Sequence, residues 1–315
     1  TDKPALRNAA RSIATLYDVQ AAPENLEDMT FASPNTGKRV SRMWQLPTCL
    51  EELVDRRQAL TKWAETHYGY MGRSPDHVAS TIAAFHMGSH IYEEHGTDRA
   101  QAVRDYYEYA RDRDLYLSYV IIDPQGDRSK SRSEGGNADL TVSVCNEDAD
   151  GISLQGAKML GTGAVLSDEI LVSTLRPMRK GEEKWAFTAT LPMNTPGLKI
   201  MSRRSYEAAA NSGFDYPLSA RFDENDALIF FENVKVPWNR VFVNGDVPTQ
   251  YAQWHSTPAH SYQNYQAEIR LMVKLRFLVG LARRITETTA SINFPQVIET
   301  PVSYTHLTLP TNREV

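Results

Sequence analysis

The sequence is short of cysteine, of positive charge and of long apolar runs, and each shortage removes a class of function. Cys49 and Cys145 are the only cysteines, too few and too far apart for a disulfide framework or for a metal cluster built on thiolates alone. They fit a reducing compartment, so a cytoplasmic location is expected. A formal net charge of −5 over 315 residues leaves no basic excess for a nucleic-acid surface. The longest apolar run, Leu271 to Ala282, is interrupted by Lys274 and Arg276 and falls short of the ~20 residues that cross a bilayer. No N-terminal segment has the charged-then-apolar pattern of a signal peptide. Phosphate-binding glycine patterns are missing as well. Neither G-x-G-x-x-G nor G-x-x-x-x-G-K-[ST] occurs, and "GTG" at Gly161 to Gly163 is too short to count, so a nicotinamide held by a Rossmann half is not expected.

What is present is an ordinary globular balance, 41% hydrophobic and 23% charged, with enough chain for two or three packed layers. Helical spacing dominates from Ala5 to Tyr119, broken at "AAPEN", "SPNTGK" and "GRSP", and "AVRDYYEYARDRDLYLSYV" reads as one long helix. From Asp123 to Val243 short β-rich runs alternate with turn residues. There "EDADG" predicts a hairpin turn, since it lacks the later ligands of a calcium loop. "RPMRKGEEK", Arg176 to Lys184, reads as a charged loop with the makings of a lid. After Asp246 the helical period returns in a segment apolar on more than one side, as in a bundle. The expectation is an α+β protein: an α-helical domain over 1–120, a central β domain over 121–245 and the start of a C-terminal helical bundle over 246–300. The first helix reads as an interior one whose preceding residues are absent, and residues 301–315 read as a foreign tail.

Two constellations carry candidate chemistry. His86 and His90 are four apart with Glu93 and Glu94 beyond, but no glutamate sits inside the pair as in H-E-x-x-H, and ordinary helix histidines explain them better than a metal site. The stretch "YGYMGRSPDHVAS" is more informative. Ser74 suits an N-cap, Pro75 the first helical position and Asp76 the first turn, so a helix starts there with Arg73 beside its positive end. Two positive features on one spot suit a carboxylate or a phenolate, or else Arg73 pairs with a neighbouring acid. His77 lies in the same turn, where the helix field favours a neutral imidazole able to accept a proton from a hydroxyl.

The blocks "YMGRSPDHVAS", "IIDPQGDRS", "GAKMLGTGAVLSDEILV", "MNTPGLKIMSR", "FDENDALIFFENVKVPWNRVF" and "RLMVKLRFLVGLA", in this order, resemble the 4-hydroxyphenylacetate 3-monooxygenase family. These are the oxygenase components of two-component, reduced-flavin-dependent phenol hydroxylases, with chlorophenol and nitrophenol monooxygenases as relatives. The resemblance implies the acyl-CoA dehydrogenase fold: a helical domain, a central β domain and a C-terminal four-helix bundle that also makes a tetramer, most of that bundle being absent here. By position Arg73 matches the arginine that contacts the substrate's phenolic oxygen or anionic group. His77 stands where the phenylacetate enzymes carry a tyrosine, and Tyr119 where they carry a substrate-binding histidine. Both departures point away from 4-hydroxyphenylacetate and toward the chlorophenol and nitrophenol branch, whose catalytic histidine corresponds to His260, with His255 as the second choice. Gln125, Gly126, Asp127, Arg128 and Thr162 match cofactor-binding positions, and Ser173 and Thr174 match substrate-side ones.

In such enzymes reduced FAD reacts with O2 to give a C4a-hydroperoxide that transfers oxygen to the phenol ring. The resemblance therefore implies FAD, O2 as cosubstrate, a phenolic substrate and a separate NAD(P)H:flavin reductase. No metal is expected. The alternatives are an acyl-CoA dehydrogenase-type flavoprotein with a glutamate base, and a non-catalytic truncated fragment. A third, the 4-hydroxybutyryl-CoA dehydratase branch, needs three cysteines and a histidine for its iron–sulfur cluster, which two cysteines cannot supply.

Overall fold

A computed structural model describes residues 4–125 and 140–297, in which helices come first, strands second and helices again last. The N-terminal part comprises α1 (Arg7–Ala21), α2 (Leu26–Met29), β1 (Thr30–Ala32), β2 (Arg39–Ser41), α3 (Leu50–Thr66), α4 (Asp76–Met87) and α5 (Thr97–Asp112). The break at "SPNTGK" closes an antiparallel hairpin between β1 and β2, with Gly37 at φ +68° in its turn. Such short strands are invisible in a helical-period reading.

The central part contains β3 (Leu117–Val120), β4 (Ser143–Asp148), β5 (Gly151–Lys158), β6 (Glu169–Val172), β7 (Phe187–Pro192), β8 (Leu198–Ser202), α6 (Tyr206–Ala209), β9 (Ala227–Pro237) and β10 (Val241–Asn244). Two four-stranded sheets form, in the orders β10-β7-β6-β3 and β4-β5-β9-β8. Val120, Ile170 and Val172 of one share a core with Ile152, Leu154, Ile229 and Phe231 of the other. The "EDADG" segment is a hairpin turn between β4 and β5, as expected.

The long helix expected over "AVRDYYEYARDRDLYLSYV" is instead a helix and a strand. It stops at Asp112, Asp114 turns the chain at φ +51°, and Leu117–Val120 pairs in parallel with β6. The aromatic and aliphatic residues of "LYLSYV" suit a pleated surface as well as a helix, and the cross-strand pairing decides it.

α7 (Val247–His255) and α8 (Ala259–Thr288) complete the described chain, and α8 packs on α3 and α4. Its first half is buried through Gln266, Ile269, Arg270, Met272 and Val273. Along its second half Leu278, Leu281 and Ile285 are 41–55% exposed, an apolar stripe that would suit contact with further helices. Gly69, at φ +72°, rests on the backbone of α8, and a methyl group there would lie 2.8 Å from the Lys274 nitrogen. The loop before α4 is therefore held directly against α8.

Candidate active site

α4 begins as the sequence predicts, with one difference at its cap. Pro75 has helical dihedrals and Ser74 supplies the first carbonyl, which accepts from His77 N at 3.0 Å. The Ser74 hydroxyl donates to the Asp76 carboxylate, so it makes no side-chain cap. Every residue from Asp76 to Phe85 is buried, because α4 lies between α5, α8 and β3. His77 is thereby enclosed.

Arg73 is anchored by its backbone and not by its charge. Its N–H donates to the carboxylate of Glu224, and its carbonyl accepts from the Tyr116 hydroxyl at 2.9 Å. Among the described residues, the guanidinium donates only to the Gly72 carbonyl at 3.2 Å, and its carbon lies 5.7 Å from the centre of the Tyr119 ring. The Tyr119 ring stacks on His77 at 5.0 Å and 25°. β3 carries Tyr119, so the strand that replaces the expected helix end is what brings these two rings together.

The far side of His77 is made by α8. Gln266 Nε2 lies 2.7 Å from His77 Nδ1 and donates to the Gln263 carbonyl at 2.8 Å, while Gln266 Oε1 accepts from Arg270 Nη1. The Gln263 side-chain nitrogen lies 3.5 Å from His77 Nε2 and 3.4 Å from the Tyr119 hydroxyl. Burial first, then the cations Arg73 and Arg270, hold the His77 pKa well below its ordinary 6.5, so the imidazole is neutral. Burial also raises the carboxyl pKa of Glu224.

On its other side Arg73 borders a cleft of about 510 Å³, within the range of small-molecule sites. Thr162, Arg203, Tyr206, Phe222 and Glu224 share its wall. Arg203 is paired with Asp223 at 2.6 Å and with Asp226 at 3.2 Å, and Thr162 Oγ1 donates to Asp226 at 2.6 Å. Arg73 is thus the cation of the cleft wall with no ion pair of its own among the described residues, although the Glu224 carboxylate lies near it. Gly163, at φ +77°, is required here because a side chain would meet the Tyr116 hydroxyl that steadies Arg73.

A family profile described as the N-terminal part of 4-hydroxyphenylacetate 3-hydroxylase matches residues 1–243, and one for its C-terminal part matches residues 251–307. The chain belongs to the 4-hydroxyphenylacetate 3-hydroxylase family. It is 37% identical over 299 residues to the 4-hydroxyphenylacetate 3-monooxygenase oxygenase component of Geobacillus sp. (strain PA-9), covering 94% of this chain and 60% of that protein. It is 36% identical to the 4-nitrophenol 2-monooxygenase oxygenase component of a Rhodococcus species, covering 93% of this chain and 56% of that one. A crystal structure of the oxygenase component of 4-hydroxyphenylacetate 3-monooxygenase complexed with FAD superposes with a TM-score of 0.89 at 32% identity, covering 96% of this chain and 62% of that one. The chain therefore spans about 60% of the length of the curated 3-monooxygenase it matches. The helical, β, helical order implied by the resemblance is the order found.

The hydroxylase-family residues expected from sequence divide into four sets. Arg73, His77 and Tyr119 meet, with Thr162 across the cleft. Ser173 and Thr174 lie elsewhere, at the end of β6 and against α7. There the Ser173 hydroxyl is 2.8 Å from Thr188 Oγ1 and accepts from Gln250 Nε2 at 3.0 Å, and Gln250 Nε2 also donates to the Thr174 carbonyl at 3.1 Å. His260 is exposed on α8, 3.3 Å from the Asn264 side chain, and its ring is 6.2 Å from that of His255. It makes no contact with Arg73 or His77, because the buried face of α8 is the one that carries Gln266 and Arg270. Gln125 is exposed, and Gly126, Asp127 and Arg128 fall outside the described residues. The loop from Arg176 lies against α7, leaving a space of only about 10 Å³ beneath Arg176, Met178 and Tyr251. His90 is not on the helix of His86: α4 ends at Met87, and His90 lies in a separate 3-10 turn, Ser89–Tyr92. Among the described residues no group of His, Cys, Asp and Glu could hold a metal, and no helix is long and apolar enough to cross a membrane.

Proposed function

We propose that the chain acts in the oxygenase component of a two-component flavin-dependent monooxygenase, hydroxylating a phenol with reduced FAD and O2. The observation that carries this reading is the Arg73 guanidinium, in no ion pair among the described residues and placed between the His77–Tyr119 ring pair and the cleft. A phenol has a pKa near ~10, and a cation in contact lowers it by roughly 1–3 units, so Arg73 favours the phenolate and with it a more electron-rich ring. The stacked rings supply an apolar wall that excludes water from one side.

The cleft suits an aromatic cofactor with several polar groups, since Tyr70, Phe222 and Tyr206 line it beside Thr162 and Arg73. Thr162 and the segment Gln125 to Arg128 would hold FAD, which when reduced supplies, with O2, the oxygen atom transferred. A separate NAD(P)H:flavin reductase is the partner this requires. The relatives named for activity on 4-hydroxyphenylacetate and 4-nitrophenol support a phenolic substrate. The exposed stripe on α8 supports further helices or subunits packing there, as a tetramer would need. The exposed, unpaired Cys49 and Cys145 agree with a reducing cytoplasm.

The test is oxygen-dependent hydroxylation of a small phenol panel by the protein with a flavin reductase, FAD and NADH. Catechol or hydroquinone product is expected from at least one phenol. Equal NADH consumption with and without every phenol, and no hydroxylated product, would overturn the proposal.

A further inference from the structure

Gln266 has its amide orientation fixed by two partners that leave no choice. Arg270 can only donate, and it contacts Gln266 Oε1; the Gln263 carbonyl can only accept, and it lies 2.8 Å from Gln266 Nε2. The second hydrogen on Nε2 therefore points at His77 Nδ1, 2.7 Å away. A neutral imidazole has one nitrogen with a lone pair and one with a hydrogen. With Nδ1 accepting, the hydrogen is on Nε2. The hydrogen-bond contact of Nε2 among the described residues is with the Gln263 side-chain nitrogen at 3.5 Å, longer than a good hydrogen bond and to an atom that donates and cannot accept. The Nε2–H is thus left for a ligand beside Tyr119 and Arg73.

We propose that the Arg270–Gln266 pair fixes His77 as its Nε2–H tautomer, so that the ring donates a hydrogen bond to the oxygen of a bound phenolate and does not remove the proton of a phenol. Arg270 and Gln266 are positioning residues, and His77 is the group they aim. This differs from the sequence-based reading of His77 as a proton acceptor: in this arrangement the lone pair that would accept is already used. The inference rests on the phenol reading above, but the tautomer can be measured without it.

The full chain labelled with 15N at its histidine rings is examined by long-range 1H–15N correlation, with His77 assigned by the signals lost in His77→Asn. A pyridine-type Nδ1 and a pyrrole-type Nε2 are expected. The reverse pattern, or an imidazolium, overturns the proposal. Gln266→Glu replaces a donor by a pure acceptor and is expected to move the proton to Nδ1 and to weaken 4-nitrophenolate binding, read from its absorbance, by about tenfold or more. Arg270→Lys keeps a donor to Oε1 and is expected to keep both the tautomer and the binding. If Gln266→Glu does not fold, the signals of the parent and of Arg270→Lys still decide the tautomer. A switched tautomer with unchanged nitrophenolate affinity overturns the donor role. If the parent has the expected tautomer but binds no phenolate, the phenol reading and the donor role both fail, while the Arg270–Gln266 device stands.

Discussion

Two clusters of buried polar side chains, each built where a C-terminal helix meets the rest of the protein, differ in how completely their groups are paired. Under α7, Ser173, Thr188, Gln250, Gln253 and Tyr92 form a closed network in which Thr188 Oγ1 donates to Gln250 Oε1 at 3.0 Å and accepts from Gln253 Nε2 at 2.8 Å. Under α8, Gln266 is equally saturated, but Arg73 and His77 Nε2 retain donors with no good partner. Buried polar groups are costly unless they are hydrogen-bonded, so the closed network is a device for stability. The open donors beside a cleft are a device for binding. Ser173, expected on the substrate side, and Arg73, expected on the anion, would look alike on sequence alone. Their pairing separates them.

The largest effect expected from this contrast is in acid, because the buried histidines, His67 and His77, lie on the α8 side. His67, buried and with its Nδ1 accepting from Met71 N at 3.1 Å, has its pKa lowered to about 3, chiefly by burial. Below pH 6.5 the unfolded chain binds a proton that native His67 refuses. Stability from this group is therefore complete above about pH 6.5 and declines by roughly 1.4 kcal/mol per pH unit as the pH falls toward 3. His77 adds in the same direction. Urea denaturation at pH 7.5 and 5.0 should show the loss, and His67→Gln should reduce it; an unchanged loss would place it in the carboxylates instead.

Opening the closed cluster should come next. Gln250→Met removes a partner from each of the Ser173 and Thr188 hydroxyls, and about 2–3 kcal/mol of stability should be lost, with nitrophenolate affinity of the folded protein unchanged. Affinity falling with stability would mean that the two regions are not separate.

Arg73→Ala should do the opposite. Nitrophenolate binding should weaken by roughly ten- to a hundredfold, the loss of a charge-assisted hydrogen bond of about 1.5–3 kcal/mol, while the melting temperature barely moves. Smallest of all should be His260→Ala, at an exposed position, with stability changed by less than about 0.5 kcal/mol and phenolate binding unaltered. A large loss of binding would return His260 to the role first expected of it.

The parts legible in the sequence were those written in local pattern. The order of helical and β-rich segments, the start of α4, and Arg73 with His77 at its first turn all follow from caps and periodicity. Tyr119 came from resemblance, and its strand was hidden because "LYLSYV" satisfies helical and pleated spacing alike. Gln263, Gln266 and Arg270 left no local mark. A polar i, i+3, i+7 row on a helix is what a solvated face looks like, and only contact with α4, nearly two hundred residues earlier, turns it inward. His260, on the same helix, had the more suggestive chemistry and faces solvent.

Gly69 gives the site a place in time as well as in space. Its bare backbone seats the loop of Arg73 on α8, so the cluster joins two stretches nearly two hundred residues apart in the chain. Contacts of such sequence separation are closed late, after the loops between them have lost their entropy. Affinity for a phenolate should accordingly be among the last native properties to appear on refolding, and would report the arrival of α8 when the helices and sheets already give a native circular dichroism.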